Sequence, residues 1–206
     1  MTIWAIVPVK PLRRGKSRLA ATLNEDERAE LNSQLLAHTL KTLKETPKVE
    51  EVLVISRDPK VMAIAHDYGA RTIMEDGSAD LNTALKRATA VAKMYTTNGV
   101  LILPADLPLI TKEDIEKLID ETKGRQRVVV ITPDRHKNGT NALLVSPSGI
   151  IEYDYGERSF DRHCERALEA GAHLAICELS SIELDLDLPE DLALVAEKID
   201  FKFPTY

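Results

Sequence analysis

The sequence predicts an α/β fold on a mixed, mostly parallel central sheet, and two patterns predict it. Strand-length apolar runs alternate with helical periodicities over more than half of the chain, and the transitions between them carry capping or turn residues. A third observation, that nothing within the 206 residues reads as a linker, predicts one domain spanning residues 1–206.

Ile3 to Val9 is an apolar run stopped by Lys10 and Pro11, which reads as a buried first strand. A basic loop follows it. Asn24 with Glu27 three positions later makes a capping box, and Leu31, Leu35, Thr39, Leu40 and Leu43 then share a helical face that ends near Pro47. Glu51 to Ser56 is a second strand, and Pro59 opens a helix that runs through Tyr68 to Gly69. Arg71 to Met74 gives a short third strand. Beyond the turn Glu75-Asp76-Gly77-Ser78, Leu85, Ala88, Val91 and Ala92 recur at helical spacing between Asn82 and Tyr95. Asn98-Gly99 breaks the chain before the apolar strand Val100 to Leu103, and Thr111 with Asp114 caps a helix holding Ile115, Leu118 and Ile119. In the last third, Arg127 to Thr132, Ala142 to Val145 and His173 to Leu179 read as strands of which one is antiparallel. Ser159 is expected to cap a helix containing His163, Arg166 and Leu168, and Pro189 to start a final one.

Composition narrows the function classes. With 44% hydrophobic and 29% charged residues the chain is ordinary for a globular protein, and no apolar stretch approaches the roughly 20 residues of a membrane span. The N-terminus enters a strand with no preceding basic region, so a cytoplasmic location is expected, without membrane partners. Cys164 and Cys177 lack the spacing of a zinc or redox site and read as reduced thiols. The net charge of −6 disfavours nucleic acid, yet Lys10, Arg13, Arg14, Lys16 and Arg18 crowd into nine residues with no acid among them. Such a cluster is either a solvated turn or a seat for a ligand carrying several phosphates.

In sheets of this type ligands bind beyond the carboxyl ends of the strands. That rule places the basic loop beside Asp106, which is held between Pro104 and Pro108 and reads as a metal ligand or as a plain turn aspartate. In Leu184-Asp185-Leu186-Asp187 an extended backbone turns both carboxylates one way; a divalent cation explains the pair, and a helix cap at Asp187 is the plainer account. Asn138-Gly139-Thr140-Asn141 is a turn signal, and Gly156 ahead of Ser159 opens a helix N-terminus able to hold a phosphate or carboxylate. The five histidines show no ligand spacing and read as structural or surface residues. P-loop and dinucleotide motifs are absent.

Taken together, Val7-Pro8-Val9-Lys10-Pro11-Leu12, Gly15-Lys16-Ser17-Arg18-Leu19, Leu81-Asn82, Pro104 to Leu109, Gly139 to Leu144 and Asp185 to Leu192 resemble the phospholactate guanylyltransferase (CofC/FbiD) family of coenzyme F420 biosynthesis. The resemblance runs along nearly the whole chain in order. It implies a three-layer, Rossmann-like nucleotidyltransferase fold of the glycosyltransferase-A-like kind, and transfer of GMP from GTP to 2-phospho-L-lactate, phosphoenolpyruvate or 3-phosphoglycerate. It further implies that Lys10, Arg13, Lys16, Ser17 and Arg18 hold the nucleotide phosphates and that Asn82 lies against the nucleoside. Asp106, Asp185 and Asp187 are implied as ligands of Mg²⁺, Thr140, Gly156 and Ser159 as the seat of the phosphorylated acid, and Lys16 with Asp106 as the catalytic pair. A homodimer is compatible with the small fold and its apolar helix faces. Cytidylyltransferase, molybdopterin-type guanylyltransferase and non-catalytic nucleotide sensor remain as alternatives.

Overall fold

The computed structural model describes residues 2–76, 80–95 and 97–196. The opening apolar run forms β1 (Ile3–Pro8), and the capping box at Asn24 starts the long helix α1 (Glu25–Lys44), with Asn24 and Glu27 satisfying each other's backbone N–H groups. Such a cap contributes about 1 kcal/mol. β2 (Val49–Ser56) begins two residues earlier than its apolar pattern, because Val49 still pairs with Ile3. α2 (Pro59–Asp67) and β3 (Arg71–Met74) follow. Gly77 and Ser78 of the expected turn lie outside the described residues. α3 (Leu81–Lys93) is capped by the Asp80 side chain on the Thr83 N–H, and β4 (Gly99–Ile102) leads to α4 (Lys112–Asp120), whose Thr111–Asp114 box forms as expected.

The remaining strands are β5 (Val128–Pro133), β6 (Thr140–Ser146) and β7 (His173–Ile176). Two expectations need correcting in this part of the chain. Ser159 does not cap α5 (Ser159–Glu169): Arg158 stands at the cap position with φ 56, and Ser159 is the first helical residue. No side-chain cap is needed, since the Ser159 and Phe160 N–H groups donate to the carbonyls of Gly156 and Asn138. The last strand also ends early, because 177–179 turn into the single helical turn α6 (Ser180–Glu183), which drives Ile182 into the core. α7 (Pro189–Ala196) starts at the expected proline.

Among the described residues the strands make one sheet in the order β3-β2-β1-β4-β6-β5-β7. β6 alone is antiparallel to its neighbours, as a mixed sheet requires; the other pairings are parallel. Alternate residues of the strands feed two cores. Ala5, Val7, Val52 and Val54 face α1, α2 and α4, while Trp4, Ile6, Leu53 and Ile55 face α3 and α5, giving three layers. A smaller third cluster matters more for function. Leu19 and Leu23 of the basic segment and Leu31 and Leu35 of α1 bury against Leu184, Leu186 and Val195, which fastens the start of the chain to its far end. Each fully buried leucine of that kind contributes about 2 kcal/mol. Cys164 and Cys177 are both free thiols, and no helix of the described residues is long and apolar enough to cross a membrane.

Candidate functional site

The basic segment leaves β1 through Pro11 and makes two short 3₁₀ turns, Leu12–Arg14 and Ser17–Leu19, whose leucines are buried anchors. Its path is held from both sides. The Leu12 N–H donates to Asp58 Oδ2 at 2.9 Å, and Asn32 Nδ2 donates to the Leu12 carbonyl at 2.7 Å. A Cβ on Gly15 would stand 2.6 Å from that Asn32 nitrogen, so a larger residue there would displace the Asn32 side chain that holds the Leu12 carbonyl. Lys16 then adopts the left-handed conformation, φ 55, which costs a non-glycine residue about 1 kcal/mol or more. The strained turn aims its side chain inward. Only 5% of it is exposed, and Nζ donates to Asp106 Oδ2 at 3.2 Å and to Asp187 Oδ1 at 3.0 Å. Burial alone would pull the lysine pKa down; the Asp106 and Asp187 carboxylates outweigh it and hold the ammonium above its ordinary value.

The two aspartates arrive by different routes. Asp106 follows β4, and its carbonyl accepts the Leu186 N–H at 3.0 Å, which docks the 184–187 segment along it. In that segment Leu184 and Leu186 are buried in the third cluster while Asp185 and Asp187 are half-buried, the alternation expected of an extended backbone. The Asp187 carboxylate faces Lys16 and caps nothing; it is the Asp187 and Leu188 N–H groups that donate, to Asp191 Oδ2 at 2.9 and 2.7 Å. Asp191, buried, is steadied in turn by Arg135 at 2.7 Å. Burial pushes the Asp187 carboxyl up, but Lys16, and then Arg18 and Lys10, hold it below the ordinary range. Asp185, which accepts from Asn141 Nδ2 at 3.4 Å, has its pKa raised by burial and by the neighbouring Asp106 and Asp187 charges.

Among the described residues no three acidic, imidazole or thiol groups form a ready metal cluster. Lys16 Nζ is bonded to both Asp106 and Asp187 and occupies the position between them. The donors nevertheless suit Mg²⁺, a hard cation that takes one or two carboxylates and completes its shell with water and phosphate oxygens. Asp106 Oδ1 is buried without a hydrogen-bond partner among the described residues, a lone acceptor of the kind such an ion satisfies.

An open cleft runs along this carboxyl edge, lined by Lys10, Arg14, Lys16, Asp106 and Asp187 at one end and by Arg57, Glu75, Asp80 and Leu81 at the other. Lys10, Ser17 and Arg18 are exposed beside it. Arg13 is placed elsewhere: Glu25 at 2.7 Å and Asp26 at 2.5 Å hold its guanidinium against the start of α1, outside this cleft. Asn82 is likewise engaged. Its oxygen accepts the Tyr155 N–H at 2.7 Å and its NH₂ donates to the Tyr155 carbonyl at 3.2 Å, so it latches α3 to the loop before α5. Arg57 and Glu75 were not among the expected site residues. The carboxyl-edge rule that located Asp106 finds them too, since they follow Ser56 of β2 and Met74 of β3.

Thr140, Gly156 and Ser159 come together at the mouth of β6 and α5. Gly156 sits at φ 134, a conformation reserved for glycine, and its carbonyl receives the Ser159 N–H at 3.1 Å. Thr140 is tied to a histidine that spacing alone did not single out. The Asp154 N–H donates to His163 Nε2 at 3.0 Å, so that nitrogen is an acceptor and the ring proton resides on Nδ1. Nδ1–H therefore donates to Thr140 Oγ1 at 3.0 Å, which leaves the threonine O–H free to donate in its turn. Burial lowers the His163 pKa to about 4, so this polarity holds at neutral pH. Asp154 itself accepts from Arg166, which holds its carboxyl low, and lies 3.3 Å from Arg162. Lys16, Lys137 and Arg158, the non-glycine residues at positive φ among the described residues, all stand in the loops that build these two regions.

Comparison with known proteins places this geometry. Residues 3–197 match the family described as "Guanylyl transferase CofC like". The chain is 40% identical over 193 residues to a phosphoenolpyruvate guanylyltransferase of Rubrobacter xylanophilus, covering 94% of this chain and 93% of that one. It is 33% identical over 192 residues to a 2-phospho-L-lactate guanylyltransferase of Methanothermobacter thermautotrophicus, covering 93% and 83%. Among solved structures, a nucleotidyl transferase from Methanothermobacter superposes with a TM-score of 0.69 at 16% identity, covering 95% of this chain and 96% of that one. A cytidylyltransferase from Leptospira borgpetersenii does so with 0.61 at 17% identity, covering 93% and 84%. At those identities the likeness is one of fold, the nucleotidyltransferase fold.

Proposed function

The chain belongs to the CofC-like guanylyltransferase family, and on that premise we propose that it joins the GMP of GTP to phosphoenolpyruvate or 2-phospho-L-lactate, releasing pyrophosphate, as a cytoplasmic step of coenzyme F420 biosynthesis. The observation that carries the reading is the buried Lys16 ammonium shared by Asp106 and Asp187, residues distant in sequence and gathered on the rim where an α/β sheet binds ligands.

In this reaction an oxygen of the acceptor's phosphate forms a bond to the α-phosphorus of GTP while the bond to the bridging oxygen of the β-phosphate breaks, and pyrophosphate leaves with the electron pair. The second phosphate pKa is near 6, so the attacking group is already ionised at neutral pH and no general base is required. That agrees with a site whose one histidine, His163, is buried and neutral. Lys16, charged and desolvated, stabilises the negative charge that builds on the phosphoryl oxygens. Arg14, Lys10 and Arg18 draw the triphosphate to the cleft. Asp106 and Asp187, with Asp185 beside them, would hold Mg²⁺, which neutralises phosphate charge when bound. Thr140, its hydroxyl proton left available by the His163 contact, donates to the acceptor acid next to Gly156 and Ser159.

The test is pyrophosphate release with GTP, Mg²⁺ and a panel of phosphoacids. Turnover with phosphoenolpyruvate or 2-phospho-L-lactate, and none with CTP, is the expected result. Turnover with a sugar phosphate and CTP instead would overturn the assignment.

A further inference from the structure

The far end of the cleft holds an ion pair that the transfer chemistry does not use. Arg57 follows β2 and Glu75 follows β3; both line the cleft, and they meet side-on, with Nε and Nη2 each 3.3 Å from one carboxylate oxygen. The Glu75 side chain is 15% exposed, and its backbone N–H donates to the Ser56 carbonyl at 2.9 Å, so the residue is held at a fixed height on the rim. The strands of Glu75 and Asp106, β3 and β4, are separated by β2 and β1. At about 4.8 Å per strand this puts them about 14 Å apart, the reach of a nucleoside monophosphate laid along the edge with its phosphate at Asp106 and its base at Glu75.

We propose that Glu75, held in position by Arg57, is the residue that selects guanine. The inference rests on the guanylyl-transfer reading above and deepens it. Oε1 accepts from Arg57 Nη2 while Oε2 lies in ion-pair range of Nε, and each oxygen keeps acceptor capacity, so the carboxylate offers two adjacent acceptors to the cleft it lines. Of the common bases, guanine alone offers two adjacent N–H donors, N1–H and the N2 amino group. Adenine and cytosine bring a ring nitrogen lone pair against the carboxylate, and uracil flanks its single N–H with carbonyls. A site built around such a pair of acceptors rejects bases lacking the donors, because its charge is then left desolvated and unpaired.

Inosine triphosphate keeps N1–H and lacks only the 2-amino group, so it isolates one of the two bonds. With phosphoenolpyruvate saturating, the native enzyme should prefer GTP to ITP in kcat/KM by about 10- to 100-fold, the worth of one hydrogen bond to a charged group. In Glu75→Gln the preference should collapse to within about threefold, through loss of GTP turnover and not gain of ITP turnover, while the KM for phosphoenolpyruvate stays put. Should that variant fail to fold, Glu75→Asp keeps the charge for Arg57 and withdraws the carboxylate by one methylene, and the same ratio should fall. A native enzyme that uses ITP as well as GTP, or a folded variant that keeps the native ratio, overturns the assignment of Glu75. Absence of pyrophosphate release from GTP in the native protein would instead sink the transfer reaction itself, so the two failures are distinct.

Discussion

At the edge of β1 and β4, two carboxylates share one buried ammonium and a third stands by; at the mouth of β6 and α5, the Asp154 carboxylate is matched by two arginines and the buried histidine is bonded at both ring nitrogens. In the first region Asp106 Oδ1 has no hydrogen-bond partner among the described residues, and the Asp185 carboxyl pKa is raised by burial and by its acidic neighbours. In the second, Asp154 takes Arg162 and Arg166, its N–H goes to His163, and His163 passes its remaining proton toward Thr140. The difference teaches where the fold leaves work for a ligand. Uncompensated charge in a cleft is costly until something binds, whereas a satisfied network makes a rigid support and fixes donor directions in advance.

If that contrast is real, substitutions at groups left with charge to spare damage rate, and those at groups already engaged by the protein damage stability. Lys16→Met should lower kcat for pyrophosphate release by roughly a thousandfold, since it removes a desolvated cation from the transferring phosphoryl group. Thermal unfolding should change little, because Asp106 and Asp187 are each about a third exposed and water screens them. A variant keeping more than about a tenth of the native kcat would place Lys16 outside the chemistry.

Asp191→Ala sharpens the comparison from the other side. Asp191 is 1% exposed and accepts two N–H groups while facing Arg135, so its loss strands two donors and the Arg135 charge. Urea unfolding should register a loss of about 3 kcal/mol. A loss under about 0.5 kcal/mol would mean that water replaces the carboxylate freely and that the support is not rigid.

His163 supplies the smallest effect at neutral pH and a distinct one in acid. Its folded pKa of about 4 lies below the ordinary 6.5, so the unfolded chain takes up the proton first. The stability contributed by the neutral ring is therefore complete above pH 6.5, falls as pH drops from 6.5 to 4, and is level below that. The fall amounts to roughly 3 kcal/mol. Urea titrations across this window should show the slope in the native protein and its loss in His163→Gln; an equal slope in both would assign the acid sensitivity to other groups.

Much of the frame was legible because it is local. Apolar runs of strand length and helical apolar patterns predicted β1 to β4 with their helices, and the boxes Asn24–Glu27 and Thr111–Asp114 formed as read. The meeting of the basic loop with Asp106 followed from the carboxyl-edge rule, Asp187 joined them through the family resemblance, and the alternation of Leu184 to Asp187 showed that the two carboxylates share a face. What escaped depends on partners far along the chain. Arg13 is one of five neighbouring cations, and nothing in its spacing says that Glu25 and Asp26 will draw it off. Ser159 looked like a cap because Asn138, which supplies the carbonyl for the Phe160 N–H, is a loop residue from another element. His163 carries no motif; its role exists only once Thr140 and Asp154 lie on either side of the ring.

The central claim is that phosphoryl transfer occurs where Lys16, Asp106 and Asp187 meet. Asp106→Asn tests it most directly, because it changes one atom and leaves the Lys16–Asp187 contact available. Single-turnover pyrophosphate release, paired with GTP affinity by calorimetry, should show a rate lower by about a thousandfold or more with the fold retained. Release at close to the native rate would contradict the account and move the reaction to another part of the cleft.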